Sequence, residues 1–230
     1  MKQSQHIKAL MNTLDEYYPK DVVCYLNHKN AYELLIATIL SAQCTDDRVN
    51  QITPALFERY PTPFDLAEAD LKEVEDYIRS GGFYKTKSKN IVGCAKGLVE
   101  NYNGEVPLEI EELTKLPGVG RKTANVVRGN IYKIPSIVVD THVKRITLRW
   151  GLTKSDNPVT IEHDLMELLP KEHWIRYNTQ VIAHGRAICT ARAPKCEGCM
   201  FLSYCPFGLN KMRENLPEEV IEREKAGKMY

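Results

Sequence analysis

The chain has 230 residues, 43% of them hydrophobic, so it can bury a substantial core as one large domain or two smaller ones. Its 31 lysines and arginines nearly balance its 30 aspartates and glutamates, which leaves a formal net charge of +1. No global positive field therefore draws this protein to an anionic polymer, and any surface for nucleic acid has to be a local basic patch.

The N-terminus has no apolar signal-peptide core and too few arginines for a transit peptide. The most apolar segment, around Leu34 to Leu40, is far too short to cross a bilayer. We therefore expect a cytoplasmic protein without a membrane partner. In that reducing compartment the seven cysteines are not expected to form disulfides, and their spacing is better explained by a ligand set together with buried thiols.

Helical periodicity recurs along the chain, and strand alternation is almost absent. Two apolar sets have the spacing of one helix face: Ile7, Leu10, Met11 and Leu14, and then Leu71, Val74, Tyr77 and Ile78. Proline and glycine interrupt the periodicity at Pro61-Thr62-Pro63, Ser80-Gly81-Gly82, Asn103-Gly104, Pro117-Gly118 and Pro135. The sequence therefore predicts an all-α fold of roughly ten helices, followed by a charged, solvated helix or tail from Pro217 to Tyr230.

A helix–hairpin–helix pattern occupies about residues 109–132. The first helix is predicted to end at Pro117, a Gly-Val-Gly turn then reverses the chain, and a second helix begins at about Arg121. The first helix has apolar residues at Ile110, Leu113 and Leu116.

This turn has the features of a phosphate site. Because Gly118 and Gly120 have no side chains, backbone N–H groups can approach an anion, and the dipole of the following helix favours phosphate. Such contacts position a protein on DNA without reading its sequence. A tight turn between packed helices would need similar glycines, but Arg121 and Lys122 directly after the turn favour phosphate binding.

Lys122 lies in the first turn of the second helix. The helix dipole and the adjacent Arg121 disfavour an ammonium, so a partly buried lysine here could act as a nucleophilic amine and attack a sugar C1′ carbon. On lysine chemistry alone, another phosphate contact is the simpler interpretation.

Asp140 follows the apolar run Ile137-Val138-Val139 and precedes Thr141-His142. One interpretation is a helix N-cap, without a capping box because position 143 is a valine. The other is a carboxylate at the lip of a cleft, which would stabilise positive charge on a sugar or relay a proton.

Four cysteines with gaps of six, two and five residues lie in one short segment: Cys189, Cys196, Cys199 and Cys205. This spacing suits a compact metal site wrapped by a single loop. A structural zinc site usually pairs two Cys-x-x-Cys units, whereas here one such unit is flanked by single cysteines, which favours an iron–sulfur cluster but leaves zinc open. The other three, Cys24, Cys44 and Cys94, have apolar neighbours and are predicted to be inert core thiols.

Together these segments resemble the endonuclease III family of DNA glycosylases, in the same order and at similar separations, over nearly the whole chain. The matching parts are Leu40-Ser41-Ala42-Gln43 followed by Thr45-Asp46, the string Leu116 to Val127, Val139-Asp140-Thr141-His142, His184-Gly185-Arg186, and the four-cysteine loop.

The resemblance implies an all-α, two-domain helix–hairpin–helix glycosylase fold. A six-helix barrel domain would comprise residues 24–134, and a helical iron–sulfur domain would combine residues 1–23 with 135–230. Double-stranded DNA containing damaged bases or abasic sites would lie in the cleft between them, with the two catalytic residues facing each other. The protein would act as a monomer associated with the nucleoid.

The resemblance also implies a bifunctional DNA glycosylase and AP lyase of base-excision repair. Oxidised or ring-fragmented pyrimidines would be flipped out of the duplex. Lys122 would attack C1′ as a Schiff-base lysine, Asp140 would assist its deprotonation, and β-elimination would cut the strand 3′ to the abasic site. The four cysteines would hold a [4Fe–4S] cluster that shapes a loop and takes no part in redox chemistry.

Gln43 matches the family residue that fills the gap left by the flipped nucleotide. Phe83 would be an apolar wedge between bases, with a core aromatic beside Tyr84 as the alternative. Arg192 and Lys195 in the cysteine loop would face phosphates. The same role is predicted for Lys85, Lys87 and Lys89, and a solvated side chain is the alternative for each of these basic residues.

Other functions stay open. One alternative is a mismatch-specific or monofunctional glycosylase of the same superfamily. An adenine-mismatch glycosylase normally lacks a lysine at position 122 and has a further C-terminal recognition domain, whereas 25 residues follow Cys205. A non-catalytic iron–sulfur DNA-binding protein needs no Lys122 and Asp140 pair, and an electron carrier needs no helix–hairpin–helix.

Overall fold

The structure, a computed structural model, describes residues 3–21 and 24–214. Within these ranges the chain forms twelve α-helices and three 3₁₀ helices, and no β-strand. The predicted all-α class is therefore confirmed, with two more α-helices than the sequence indicated. The predicted tail from Pro217 to Tyr230 lies outside the described residues.

The α-helices are α1 (Gln3–Tyr17), α2 (Ala31–Leu40), α3 (Asp46–Arg59), α4 (Pro63–Ala67), α5 (Leu71–Ile78), α6 (Tyr84–Tyr102), α7 (Ile110–Leu113), α8 (Arg121–Asn130), α9 (Thr141–Arg149), α10 (Pro158–Leu168), α11 (Trp174–Ala187) and α12 (Pro206–Glu214). The 3₁₀ helices are Arg79–Gly81, Lys171–His173 and Leu202–Tyr204. None of the helices in the described ranges combines the length and the apolar character that a bilayer crossing requires.

The described residues pack as two compact units. One falls within Val23–Val138 and contains α2 to α8; the other joins residues of Met1–Val22 to residues of Val139–Tyr230 and contains α1 and α9 to α12. In the first unit α4 and α7 are single turns, of five and four residues. The domain limits inferred from the sequence stay a prediction, and the units break within a few residues of them.

Helix α2 forms the centre of the first unit. Every side chain from Tyr32 to Leu40 is buried, including those of Glu33 and Thr38, so no face of this mostly apolar helix is turned to solvent. Asn30 caps the helix by accepting a hydrogen bond from the Glu33 amide at 2.9 Å. Because α2 packs against α3, α6 and α8, its C-terminal end and the loop after it are held by the core of this unit.

Helix α1 packs against α11 in the second unit. The predicted apolar face of α1 is confirmed, since Ile7, Leu10, Met11 and Leu14 are all buried. Arg176 donates two hydrogen bonds to the Asp15 carboxylate, at 2.8 and 2.9 Å, and Gln180 donates a third at 3.1 Å. The Arg176 guanidinium holds the pKa of Asp15 well below its usual range, so the link between the helices is charged at neutral pH.

The first helix of the hairpin pattern is shorter than predicted. Helix α7 ends at Leu113, and the chain continues through tight turns in which Lys115 donates to the Glu112 carbonyl and Leu116 to the Leu113 carbonyl, at 3.2 and 3.1 Å. The α region is sterically disfavoured for the residue before a proline, which explains why the helix does not include Leu116. Its still earlier end at Leu113 follows from the consecutive turns.

Candidate active site

The hairpin turn needs a glycine at position 118. Gly118 has φ +76°, and a Cβ atom there would lie 2.9 Å from Asn90 Cβ and 3.1 Å from Ile39 Cγ2. The Val119 amide donates to the Leu116 carbonyl at 3.1 Å and closes the turn. Both the backbone conformation and the packing against α2 and α6 therefore exclude a side chain here.

Gly120, unlike Gly118, is not required by the backbone conformation or by packing. Its φ of −93° suits any residue, and a Cβ atom would meet no protein atom within 4 Å. It is the N-cap of α8 and supplies no side-chain acceptor, and the first turn of α8 contains no acidic residue. The positive end of the α8 dipole thus faces open space, as an anion site at a helix N-terminus requires.

Lys122 is the second residue of α8 and is exposed. Its predicted partial burial is wrong, because α8 buries the face that carries Thr123, Ala124, Val126 and Val127. The side chain is therefore open to solvent in the first turn of α8, beside Arg121, which is half-buried.

Gln43 and Phe83 are both exposed and both strained. Gln43 has φ +52° in the loop after α2, and Phe83 has φ +49° just before α6. Side chains other than glycine rarely adopt this left-handed region, which costs about 1–2 kcal/mol. Phe83 is 66% exposed, so the alternative of a core aromatic is wrong; Tyr84 instead packs against the core.

The three lysines at the start of α6 do not share one environment. Lys85 and Lys89 are exposed, as a phosphate contact or a solvated side chain would be. Lys87 is 4% exposed and donates from Nζ to the Gly81 carbonyl oxygen at 2.9 Å. The prediction that Lys87 contacts phosphate is therefore wrong, because its position on α6 faces the core together with Ser88 and Ile91.

Asp140 is the N-cap of α9 in the second unit. Its Oδ1 accepts a hydrogen bond from the Val143 amide at 2.8 Å, as the capping interpretation predicts. The side chain is half-buried, and no described residue bonds to Oδ2. Capping therefore leaves one carboxylate oxygen available for chemistry.

The four clustered cysteines line one small cavity in the second unit, together with Trp150 and His184. Cys189 and Cys205 are buried, and Cys196 and Cys199 are half-buried. Burial raises the pKa of the Cys199 and Cys205 thiols, and the neighbouring cysteine sulfurs raise it further.

All seven cysteines are free thiols. Cys94 lies in the core, and burial raises the pKa of its thiol to about 12, as an inert core thiol requires. Cys24 and Cys44 are half-buried and pack against the edge of the core, so the prediction of core thiols is wrong for these two.

The two basic residues of the cysteine loop differ. Arg192 is exposed. Lys195 is also exposed, but its ammonium donates to the Ala187 carbonyl at 3.2 Å, where the C-terminal end of α11 favours a cation.

Two arginines of α9 contact the cysteine loop and were not identified from the sequence. Arg145 Nη2 donates to the Cys189 carbonyl at 3.0 Å, and Arg149 Nη1 donates to Cys189 Sγ at 3.1 Å and to the Thr190 carbonyl at 2.8 Å. Their spacing of four residues places them on one face of α9, which was the available signal.

The motif His184-Gly185-Arg186 lies on α11, where this helix packs against α9 beside the cysteine loop. A Cβ atom on Gly185 would lie 3.0 Å from Arg145 Nη2 and against the His142 ring, so the close approach of α9 and α11 requires a glycine. His184 is buried, stacks on Trp150 and is hydrogen-bonded to the Tyr18 hydroxyl at 2.8 Å. Burial, reinforced by Arg145, lowers the pKa of His184 to about 4, which keeps the ring neutral at physiological pH.

Comparison with known proteins agrees with these features. Residues 36–171 match the family model of the HhH-GPD superfamily base excision DNA repair protein. The chain is 48% identical over 205 residues to endonuclease III of Synechocystis sp., covering 89% of this chain and 93% of that protein. It is 41% identical over 217 residues to endonuclease III of Bacillus subtilis, covering 94% and 99%.

A solved structure shares the fold. A trapped covalent intermediate of endonuclease III with DNA matches with a TM-score of 0.87 at 44% identity, over 93% of this chain and all of that chain. With these matches over nearly the whole length, the chain belongs to the HhH-GPD superfamily of base excision DNA repair proteins, as a DNA glycosylase and AP lyase of the endonuclease III family.

Proposed function

We propose that this enzyme removes oxidised or ring-fragmented pyrimidines from duplex DNA with Lys122 as its covalent nucleophile. The observation that carries the proposal is the start of α8, where an exposed lysine in the first helical turn follows an uncapped, glycine-lined anion site. A phosphate bound there would hold the sugar-phosphate backbone close to Lys122 Nζ.

The attack on the sugar requires Lys122 as a free amine. Asp140 accepts a proton from the lysine ammonium, and the lysine nitrogen then attacks C1′ while the bond from C1′ to the base breaks and the base leaves with a proton. The resulting sugar opens to an imine on Lys122. Loss of a proton from C2′ and of the 3′ phosphate from C3′ then cuts the strand on the 3′ side, and water releases the enzyme.

The same proposal assigns the DNA contacts. Gly118 and Gly120 present backbone N–H groups, with Arg121 beside them, to one strand. Gln43 fills the gap left by the flipped nucleotide and Phe83 separates adjacent bases, which agrees with their exposure and strained backbones.

Arg192 and Lys195 contribute positive charge to phosphates beside the cysteine loop. A basic surface that is local agrees with the net charge of +1. The substrate is double-stranded DNA with damaged bases or abasic sites, and the enzyme acts on it as a monomer in the cytoplasm, at the nucleoid.

The residues of the cysteine loop fit a [4Fe–4S] cluster. Four sulfur donors line one cavity, and four cysteine thiolates are the ligand set of such a cluster. When bound, the cluster cross-links the loop and balances the charge of the thiolates. Cys189, Cys196, Cys199 and Cys205 would hold it, with Arg149 donating to the Cys189 sulfur.

Strand cleavage tests the nucleophile. Wild-type protein should cut a duplex with one oxidised pyrimidine without added alkali. Lys122→Ala should leave the strand intact while binding the duplex with nearly the wild-type Kd, because the hairpin backbone is unchanged. Lys133→Ala, which removes an exposed lysine just after α8, is the matched control and should cleave normally.

Three outcomes would change the assignment. Full cleavage by Lys122→Ala would remove Lys122 from the chemistry. Base release without cleavage by the wild-type protein would make it a monofunctional or mismatch-specific glycosylase. Binding without either product across several lesions would make it a non-catalytic iron–sulfur DNA-binding protein.

A further inference from the structure

Two consecutive residues in the left-handed region form the turn before α6. Gly82 has φ +69° and Phe83 φ +49°. Glycine tolerates this conformation, but phenylalanine is strained in it. Because the Phe83 side chain is 66% exposed, its own packing does not hold the turn.

Lys87 contacts both ends of this turn. Its Nζ donates to the Gly81 carbonyl at 2.9 Å, and its backbone amide donates to the Phe83 carbonyl at 3.0 Å. The side chain is 4% exposed, so water does not compete for the Gly81 carbonyl. The hydrogen bond of the ammonium thus fixes the peptide that enters the strained segment.

No carboxylate among the described residues pairs with this ammonium. Burial lowers the pKa of Lys87. A buried cation without a counter-ion is costly, and a methionine would fill much of the same space without a charge. A lysine at this position therefore indicates that its hydrogen bond has a function.

The loop that carries Gln43 lies against the same turn. A Cβ atom on Gly81 would lie 4.0 Å from Cys44 Sγ and 3.1 Å from Ile52 Cδ1. Cys44 directly follows Gln43, whose own φ is +52°. Two of the strained, exposed residues of this unit, Gln43 and Phe83, thus flank one close approach, between Gly81 and the Cys44 side chain.

We infer that Lys87 is a positioning residue, which holds the Gly81–Phe83 turn and the adjoining Gln43 loop in the conformation that presents both side chains to the duplex. The inference rests on the proposed function, because Phe83 and Gln43 enter DNA only in that account. Lys87 itself touches neither the substrate nor the reacting atoms.

Excision from paired and unpaired lesions tests this role. Lys87→Met should slow single-turnover release of a base-paired lesion about tenfold or more, since a misplaced wedge no longer helps to unstack the base. The same lesion in single-stranded DNA needs no wedge and should change less than about twofold. Lys87→Arg should recover much of the lost rate. Lys96→Met, an exposed lysine of the same helix, is the control and should behave as wild type.

Combining Lys87→Met with substitutions of the residues that it positions tests whether Lys87 acts through them. Adding Lys87→Met to a variant that already carries Phe83→Ala and Gln43→Ala should slow excision no further, because Lys87 acts only through those two side chains. Additive losses, or equal losses on paired and single-stranded lesions, would overturn the positioning role. The positioning role would also be overturned if a 2-aminopurine beside the lesion showed the wild-type fluorescence change when the Lys87→Met variant bound the duplex.

Amide hydrogen exchange separates this inference from the proposed function. Without DNA, residues 79–86 should exchange faster in Lys87→Met than in Lys96→Met, and equal exchange would refute the anchoring of the turn. If Lys87→Met does not fold, Lys87→Gln provides the same comparison. Absence of excision by the wild-type protein would refute the proposed function instead, with the exchange result still deciding whether Lys87 holds the turn.

Discussion

The proposed mechanism adds a catalytic role to the capping role that the structure shows for Asp140. One carboxylate oxygen caps α9, and the other has no described hydrogen-bond partner. An N-cap needs only an acceptor, which asparagine also provides, whereas proton transfer from Lys122 needs a carboxylate. The two roles can therefore be separated by conservative substitution.

We expect Asp140→Asn to keep its Tm and to lose base-excision rate by about a hundredfold. Asp140→Ala should lose the same rate and also about 1 kcal/mol of stability, because the cap is removed. Thermal melting and single-turnover excision measured on the same preparations check both. Normal excision by Asp140→Asn would leave Asp140 with the capping role alone.

At the residue scale, the sequence predicts which residues are candidates for chemistry better than it predicts whether a side chain is buried or its backbone strained. Lys122, Asp140 and the four cysteines stand in motifs that the order and spacing of residues are enough to define. Burial of Lys87 has no such signal, because a lysine is ordinarily at the surface and only tertiary packing turns this one inward. The positive φ of Gln43 and Phe83 could not be predicted from the sequence either, since neither residue type favours the left-handed region.

The hairpin element has two glycines with separate tasks. Gly118 is required by the fold, through its positive φ and its contacts with Asn90 and Ile39. Gly120 has an ordinary φ and open space around it, so the fold does not require a glycine there. The difference allows DNA binding and folding to be tested one at a time.

Gly118→Ala should lower the free energy of unfolding by about 1–3 kcal/mol, from backbone strain and overlap. Gly120→Ala should keep the wild-type Tm and weaken binding to damaged and undamaged duplex alike, by roughly tenfold, because a methyl group obstructs the approach of a phosphate. Fluorescence anisotropy and calorimetry measure the two effects. Undiminished DNA affinity of Gly120→Ala would favour a plain tight turn.

The contact between α1 and α11 predicts a pH dependence. The folded pKa of Asp15 is depressed, so its contribution to stability is complete above the unfolded pKa of about 3.9 and is lost as the pH falls below it. Asp15→Asn should cost about 2 kcal/mol at pH 7, and the difference from wild type should shrink below about pH 4. Urea unfolding across this range provides the measurement, and a difference that is constant with pH would contradict the ion pair.

Element boundaries were less predictable than element types. Periodicity identified α1 and α5, and proline and glycine marked the breaks, because both signals are local. The early end of α7 and the short α4 depend on how consecutive turns pack, which a pattern of apolar residues does not specify. The contacts of Arg145 and Arg149 with the cysteine loop are likewise tertiary, joining residues about 40 positions apart.

At the scale of the whole molecule, the cysteine loop belongs to the unit built from both ends of the chain. Trp150, His184 and Phe201 pack together beside it, so a bound cluster would stabilise α1 and α9 to α12. Cys205→Ser should therefore lose visible absorbance and about four irons per chain. Hydrogen exchange should rise within residues 139–214 and stay near wild type within 24–138. A colourless wild-type protein that contains one zinc ion per chain would contradict the iron–sulfur cluster.

The most direct test of the central claim is borohydride trapping. Wild-type protein, mixed with a duplex that contains one oxidised pyrimidine and treated with borohydride, should form a covalent adduct in which peptide mass spectrometry places the sugar on Lys122. Lys133→Ala should form the same adduct, and Lys122→Ala should form none. An adduct on another residue, or base release without any adduct, would contradict Lys122 as the nucleophile.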